Sequence, residues 1–330
     1  MKILITGING FVGGSIANYF CAKNHHIVGI GRQERLAEFV NPKCDYLNID
    51  ISNPFREIEA DIVIHSAAIA SDTAKYETLF RCNVEGTKNV LNASRSANLI
   101  IHISTSSVYH FNEQALTEPL AGINMSKLSN YGKTKFIAEQ LVLENKSIPH
   151  KFILRPRAIY GINDRLILPR LLKLVKRNRI LFPKHITDKI SLTHISNFIS
   201  AIDLCIQNSK QTKIYNVSDD CVYDLGDVAR NLILAVTRKE LDVMMIPPFL
   251  WESIITLNQF IPFNKDLSRF GSNQLTKTSL LDISAIKNEL GYLPKKTMND
   301  SYCEIAKWVT EIGGWEKYLE QYKINVSHRK

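Results

Sequence analysis

The stretch Ser129-Asn130-Tyr131-Gly132-Lys133-Thr134-Lys135 sets a phenol and an ammonium four residues apart. On a helix, residues i and i+4 lie about 40° apart around the axis, so both side chains leave one face. Tyrosine ordinarily titrates near pH 10. A neighbouring ammonium favours the phenolate, and a phenol tuned in this way can pass a proton to a reacting oxygen. The same spacing also occurs on ordinary solvated helices, so the pair by itself leaves both readings open. A second group lies upstream. Ser104, Thr105, Ser106 and Ser107 follow an apolar run, and Thr105 stands 26 residues before Tyr131. In a parallel sheet the carboxyl ends of strands face the ligand crevice. That placement would let a hydroxyl hold a substrate carbonyl while Tyr131 delivers a proton, the general-acid arrangement that ketone reduction requires.

Such groups need elements to position them. The 330-residue chain is long enough for one large domain with a smaller lobe. Residues 2–6, 26–31, 45–50, 61–68, 99–105 and 151–156 read as strands, with helical spacing over 11–24, 84–97 and from 129 through 143. The alternation predicts an α/β fold: a Rossmann-type doubly wound parallel sheet with a smaller mixed C-terminal substrate lobe. After about residue 160 the alternation loosens. Helices are expected over 165–178, 194–208 and 225–236, and a strand over 213–218. The apolar stretch 247–263, bracketed by prolines, reads as lobe core or pocket wall. A membrane-surface role for it would need a basic flank that the adjoining sequence largely lacks. The expected division is a dinucleotide-binding domain over 1–160 with a returning segment over about 189–217, and a substrate lobe over 161–188 and 218–330.

The glycines sharpen this. Gly7, Gly10 and Gly13 fall between the first strand and the first helix, in Thr6-Gly7-Ile8-Asn9-Gly10-Phe11-Val12-Gly13. Gly7 permits the tight turn, Gly10 lets backbone approach a pyrophosphate, and Gly13 allows close helix–strand packing. The helix N-terminus adds N–H donors and a partial positive charge. At the end of the second strand an acid would bind the ribose 2′-hydroxyl. Here Arg32 follows instead, with Arg35 nearby, which suits a 2′-phosphate. NADP(H) is therefore expected over NAD(H). Asp50 and Ile51, at the end of the third strand, are placed for the adenine edge.

Bulk properties exclude other classes. Hydrophobic content of 45% and charged content of 22% are those of a globular protein. No apolar run reaches the roughly 18 residues a membrane span needs, and the N-terminus reads as a buried strand instead of a signal peptide. The net charge of +9 is spread along the chain, with small clusters such as 173–179. It is read as solvated faces and attraction for an anionic small molecule, with no nucleic acid as partner. Six scattered cysteines without a C-x-x-C pair argue against a disulfide framework or a metal site and fit a reducing cytoplasm.

Taken together, TGINGFVG, HSAA, NVEGTKNV, STSSVY, YGKTK and LRPRAIYG stand in the order found in extended short-chain dehydrogenases/reductases, the nucleotide-sugar epimerase/dehydratase group, which the chain resembles over nearly its whole length. The resemblance implies Thr105 as the hydroxyl, Tyr131 as the acid/base and Lys135 as the residue that binds ribose and lowers the phenol pKa. It places Ser104 in the adjoining hydroxyl position and His65, Ser66, Ala67 and Ala68 near the cofactor. Asn83 becomes the buried brace of the central helix, and Pro156 and Tyr160 flank the nicotinamide. Asn9, Phe11 and Val12 join the glycines around the dinucleotide. The C-terminal part is similar to the branch that modifies nucleotide sugars for surface polysaccharides such as O-antigen, and relatives often pair as homodimers through the Tyr131 helix.

Three reactions compete on this scaffold. Dehydratases carry T-D-E-V-Y where this chain has Ser106 and Ser107, and hydroxyls are poor acid/base groups for elimination near neutrality. Epimerases retain bound NAD and usually carry an acid after the second strand. Arg32 favours an NADP-dependent reductase of a nucleotide-diphosphate 4-keto or 4-keto-6-deoxy sugar, with 4-epimerisation as the alternative and a non-catalytic NADP sensor as the alternative from another class. The family's diphosphate arginine four residues before His194 is replaced by Ile190, beside Lys189. Arg269 resembles the late pyrophosphate arginine. Arg157 stands where an asparagine is common. Ser106, Ser107, Arg157, Lys189 and Arg269 are thus the substrate candidates, and His194 reads as structural.

Overall fold

The computed structural model describes residues 1–71, 73–110, 115–176, 179–186, 189–260, 272–273 and 276–327. Arg269 lies outside them. Seven strands form the main sheet: β1 (Lys2–Thr6), β2 (His26–Gly31), β3 (Asp45–Asn48), β4 (Ile62–His65), β5 (Leu99–Ile103), β6 (His150–Pro156) and, in chain order after four strands outside this sheet, β11 (Thr212–Val217). Their spatial order is β11-β6-β5-β4-β1-β2-β3, every neighbouring pair parallel. The chain winds outward from β1 through β2 and β3, then returns to β4 and winds the other way. The β1/β4 boundary is therefore the switch point, where α/β sheets open a crevice.

Strand alternation explains the two layers. Ile3, Ile5, Ile64, Ile101, Phe152 and Leu154 face one core, with α1 (Phe11–Ala22) and α6 (Ile195–Gln207). Leu4, Val63, Ile100 and Ile153 face the other, with α3 (Gly86–Ala93) and α4 (Asn130–Glu144). Both faces are dry, which is why these strands read as unbroken apolar runs.

Two helical expectations are corrected. In place of one helix over 84–97, α2 (Tyr76–Phe80) runs through a π-helical turn, Arg81–Glu85, into α3. The helix ends at Ala93 because the next residues turn back toward β5, with Ile58 N donating to Ala93 O at 2.8 Å. In place of a helix over 165–178, α5 (Ile167–Leu172) is followed by a hairpin of β8 (Val175–Lys176) and β9 (Arg179–Pro183). Buried Asp164 starts α5 by accepting from the Leu166, Ile167 and Leu168 amides at 2.7, 3.1 and 2.8 Å. Pro169 falls in the first turn, where its missing N–H leaves no bond unmade. The hairpin then buries Ile180 and Phe182 in a separate core.

That second core is the lobe: α5, β9, α7 (Leu225–Thr237), α10 (Met298–Glu311) and α11 (Trp315–Ser327), with β12 (Asp242–Ile246) and α8 (Pro248–Phe260) beside it. A short parallel pair, β7 (Ile159–Tyr160) with β10 (Thr193–His194), links lobe and sheet. Within the stretch read as lobe, Leu281, Ile283, Ile286, Leu290 and Tyr292, on and around α9 (Ser284–Leu290), pack on the sheet core. Asp219 ties these parts together. It accepts from the Tyr160 and Tyr223 hydroxyls at 2.8 and 3.0 Å, from His194 N at 2.8 Å and from Asn197 Nδ2 at 2.7 Å. His194 is held by Ser196 and Glu304 and is buried.

Candidate active site

β1 delivers the glycine turn. Gly7 has φ +73°, and its amide donates to Ile30 O at 2.8 Å. A Cβ on Gly7 would stand 2.9 Å from Ala67 backbone, and one on Gly13 would stand 2.4 Å from Gly7 O. Backbone and Ser66 Oγ therefore crowd the turn where a Cβ would stand, and Gly10 caps α1 without a side-chain bond. The first amides of α1 point into this cradle with the positive end of the helix dipole, which fits a dinucleotide pyrophosphate. The side chains of Asn9 and Phe11 are engaged away from the cradle. Asn9 Nδ2 donates to Arg35 O at 2.9 Å and its Oδ1 accepts from Ala37 N at 2.9 Å, while the Phe11 ring is in the core. Val12 is half-buried.

Arg32 is exposed directly after β2. Asp50 is half-buried and accepts from Ser52 N at 3.0 Å. Ile51 is buried under Gly86, where an added Cβ would stand 3.0 Å from its Cδ1. Ser66 Oγ donates to Thr6 O at 2.6 Å, holding the β4 loop, with Ala67 and Ala68 half-buried, against the glycine turn.

Behind the cradle runs a hydrogen-bonded column with one consistent proton assignment. Ala67 N donates to Thr6 Oγ1 at 3.1 Å, and Thr6 Oγ1 donates to His65 Nδ1 at 2.7 Å. His65 Nε2 donates to Thr87 Oγ1 at 2.9 Å, and Thr87 Oγ1 donates to Asn83 O at 2.6 Å. Burial pushes His65 down to about 3, so the ring is neutral. Asn83 Nδ2 donates to Thr134 Oγ1 at 3.1 Å, and Thr134 Oγ1 donates to Tyr131 O at 3.0 Å. The column thus reaches from the glycine turn to the first turn of α4.

That turn is held against the end of β5. Ser129 Oγ caps α4 by accepting from Gly132 N at 3.1 Å. A Cβ on Gly132 would lie 2.1 Å from Ser107 O, so only glycine allows this approach. Thr105, extended and half-buried, accepts from Ser107 N at 3.1 Å and donates to Ser107 Oγ at 3.3 Å. Ser106 is buried. Half-buried Tyr131 adjoins this contact in sequence, and Lys135 lies one turn further on.

Lys135 is 2% exposed. Its Nζ donates to Ile103 O at 2.7 Å and to His102 Nε2 at 3.1 Å. Burial pulls the ammonium down to about 8, against the opposing pull of Glu139. His102, fully buried and pushed well down by burial and by Lys135, is neutral. Its ring lies 5.1 Å from that of His65, its partner across β4 and β5. Ser104 Oγ donates to Glu139 Oε1 instead of opening toward the crevice. Glu139 pairs with Arg155 at 2.6 and 2.9 Å, and Arg155 donates on to the Tyr109 hydroxyl at 3.0 Å and Glu118 O at 2.8 Å.

The substrate candidates separate. Arg157 is buried just past Pro156 at the carboxyl end of β6, its backbone bonded on both sides by Thr193. Lys189 is exposed, whereas Ile190 is buried in the lobe core. Sequence reasoning missed Arg165, which crosses from the lobe to the cradle: its Nη1 donates to Asn9 O at 3.3 Å and its guanidinium lies 5.3 Å from the Phe39 ring centroid. It also missed His102, whose only sequence signal is a histidine in an otherwise apolar strand.

The model of the NAD dependent epimerase/dehydratase family matches residues 3–218, from β1 through the end of β11. The chain belongs to this family. As a member, it is an enzyme of the extended short-chain dehydrogenase/reductase type that works with a nicotinamide dinucleotide. Among similar proteins, the 2-alkyl-3-oxoalkanoate reductase of Stenotrophomonas maltophilia is 26% identical, over 91% of this chain and 97% of the relative. The UDP-glucose 4-epimerase of Vibrio cholerae is 28% identical, over 93% and 94%. The UDP-glucuronic acid 4-epimerase from Bacillus cereus, solved with NAD, superposes with a TM-score of 0.71 at 22% identity, over 94% and 99% of the two chains. The family thus holds both ketone reductases and epimerases, and the match spans the cradle, the column and the α4 contact.

Proposed function

We propose that the chain reduces a ketone with NADPH, Tyr131 giving the proton. The observation that carries this reading is the Gly132–Ser107 contact, which seats the first turn of α4 on the hydroxyl-bearing end of β5. When bound, the nicotinamide dinucleotide supplies hydride. Thr105 orients the carbonyl, the Tyr131 hydroxyl protonates its oxygen, and the Lys135 ammonium, held by Ile103 O and His102, favours the phenolate left behind. The glycine turn, Arg32, Asp50, Ile51, Ser66, Ala67, Ala68, Asn83 and Pro156 form the cofactor side. Ser104 acts there through Glu139. Arg32, exposed after β2, supports NADPH over NADH.

On the substrate side, the reading is a nucleotide-diphosphate 4-keto or 4-keto-6-deoxy sugar in surface-polysaccharide synthesis, held between 1–160 with 189–217 and the lobe of 161–188 with 218–330. Arg157, Ser106, Ser107, Lys189 and Arg269 would serve its polar groups. The enzyme is read as a cytoplasmic homodimer. A second substrate reading is favoured by Ile190: a buried apolar residue at the family's diphosphate position, in a chain similar to a 2-alkyl-3-oxoalkanoate reductase, suits a 3-oxo acid with an apolar tail. The test is oxidation of NADPH and NADH against both substrate classes. Turnover with NADPH and a nucleotide 4-keto sugar supports the first reading, and turnover only with 3-oxo acids selects the second. Interconversion of UDP-hexoses without added cofactor would overturn ketone reduction in favour of epimerisation.

A further inference from the structure

The apolar stretch that becomes α8 has little basic flank in sequence, but folding brings one to it. β12 lies parallel to β9, with Asp242 opposite Arg179 and Ile246 opposite Pro183. Lys184 N then donates to Ile246 O at 2.9 Å. Lys184 and His185, both exposed, therefore stand beside the residue from which the chain enters α8 through Pro247 and Pro248. The run 173–186 carries five lysines and arginines and no aspartate or glutamate.

α8 is apolar on two sides. Inward, Trp251 and Ile255 are buried, and Trp251 Nε1 donates to Ser272 Oγ at 2.8 Å. Outward, Leu250, Ile254 and Leu257 form a second stripe at i, i+4 and i+7, with Leu250 45% and Leu257 52% exposed. In the first turn of α8 Phe249 is 68% exposed, and on β12 Met244 and Met245 are 43% and 46% exposed. Single exposed apolar residues are ordinary, but a stripe along one helix face, such as Leu250, Ile254 and Leu257, marks a contact surface. An apolar stripe with a basic rim is the pattern of a helix lying in a membrane interface, where lysine and arginine are drawn to anionic headgroups.

We propose that the β12–α8 face binds peripherally to an anionic phospholipid surface, the outer stripe entering the headgroup boundary and the Lys184 rim meeting the lipid charge. A second copy of the chain fits less well, because an isologous pairing on this face would bring two basic rims together. Among the described residues no helix is long and apolar enough to cross a membrane, so attachment would be to the surface.

The test is flotation of the full chain with vesicles of phosphatidylcholine alone and of phosphatidylcholine mixed with phosphatidylglycerol. Binding is expected to the mixed vesicles and to weaken as salt rises. It should fall about fivefold in Lys184→Gln and about tenfold or more in Leu250→Ser/Leu257→Ser, with melting temperature and NADPH oxidation kept. Absence of flotation, or equal flotation of the parent and the double variant, overturns the proposal. So does self-association in ultracentrifugation that the double variant abolishes without any lipid binding in the parent, which would assign the face to a second copy.

Discussion

At the carboxyl end of β5, polar side chains sit in apolar surroundings; on the β12–α8 face, apolar side chains sit at the surface. Around β5, the Lys135 ammonium, the Glu139–Arg155 pair and neutral His65 are each fixed by named partners. Within the Glu139–Arg155 pair, removing one member leaves the other buried and unsatisfied, so geometry and stability are coupled there. On α8, the inner stripe carries most of the packing, and in the outer stripe Leu250 and Leu257 are about half exposed, so those two positions are more open to selection for something other than folding.

Substitutions in the two regions should act differently. Glu139→Ala should have the largest effect on stability. It strands the Arg155 guanidinium, 2% exposed, and a loss of about 3–5 kcal/mol is expected in urea unfolding. A loss under about 1 kcal/mol would remove the contrast. Gly132→Ala would push α4 from Ser107 O, and kcat/KM should fall about 100-fold. Parent-like kinetics would show that the contact does not position Tyr131.

Lys135→Met should abolish turnover yet stabilise the cofactor-free protein below pH 8, by up to about 3 kcal/mol. The sign follows from burial, which holds this ammonium at about 8 when folded, against 10.5 as its ordinary value. Between those values the unfolded chain binds a proton that the folded chain does not, so the group's contribution to stability rises with pH across that window. Below pH 8 the burial penalty is present in full. Unfolding free energies measured from pH 7 to 10.5 should show this rise in the parent and lack it in Lys135→Met. The smallest change is expected for Leu250→Ser/Leu257→Ser, each substitution within about 0.5 kcal/mol of the parent.

Features that depend on residues close in the chain were legible in the sequence. The glycine turn and the apolar strands each follow from local backbone and burial requirements. The helix expected over 165–178 failed because Val175 pairs with Ile180 across a hairpin, a choice made by the lobe core and not by local spacing. The partners of Lys135 were hidden for the same reason. His102 is 33 residues away, and it meets the ammonium only because β5 and α4 pack together. Asn9 sits in the expected turn, but its side chain serves the loop after β2. The basic flank of α8 came into view only with the β9–β12 pairing.

The central claim, that Tyr131 delivers the proton, is tested most directly by Tyr131→Phe assayed for turnover and for NADPH binding in parallel. A fall in kcat/KM of about 10²–10⁴-fold with the NADPH dissociation constant within about twofold of the parent is predicted. Turnover within about fivefold of the parent would contradict it.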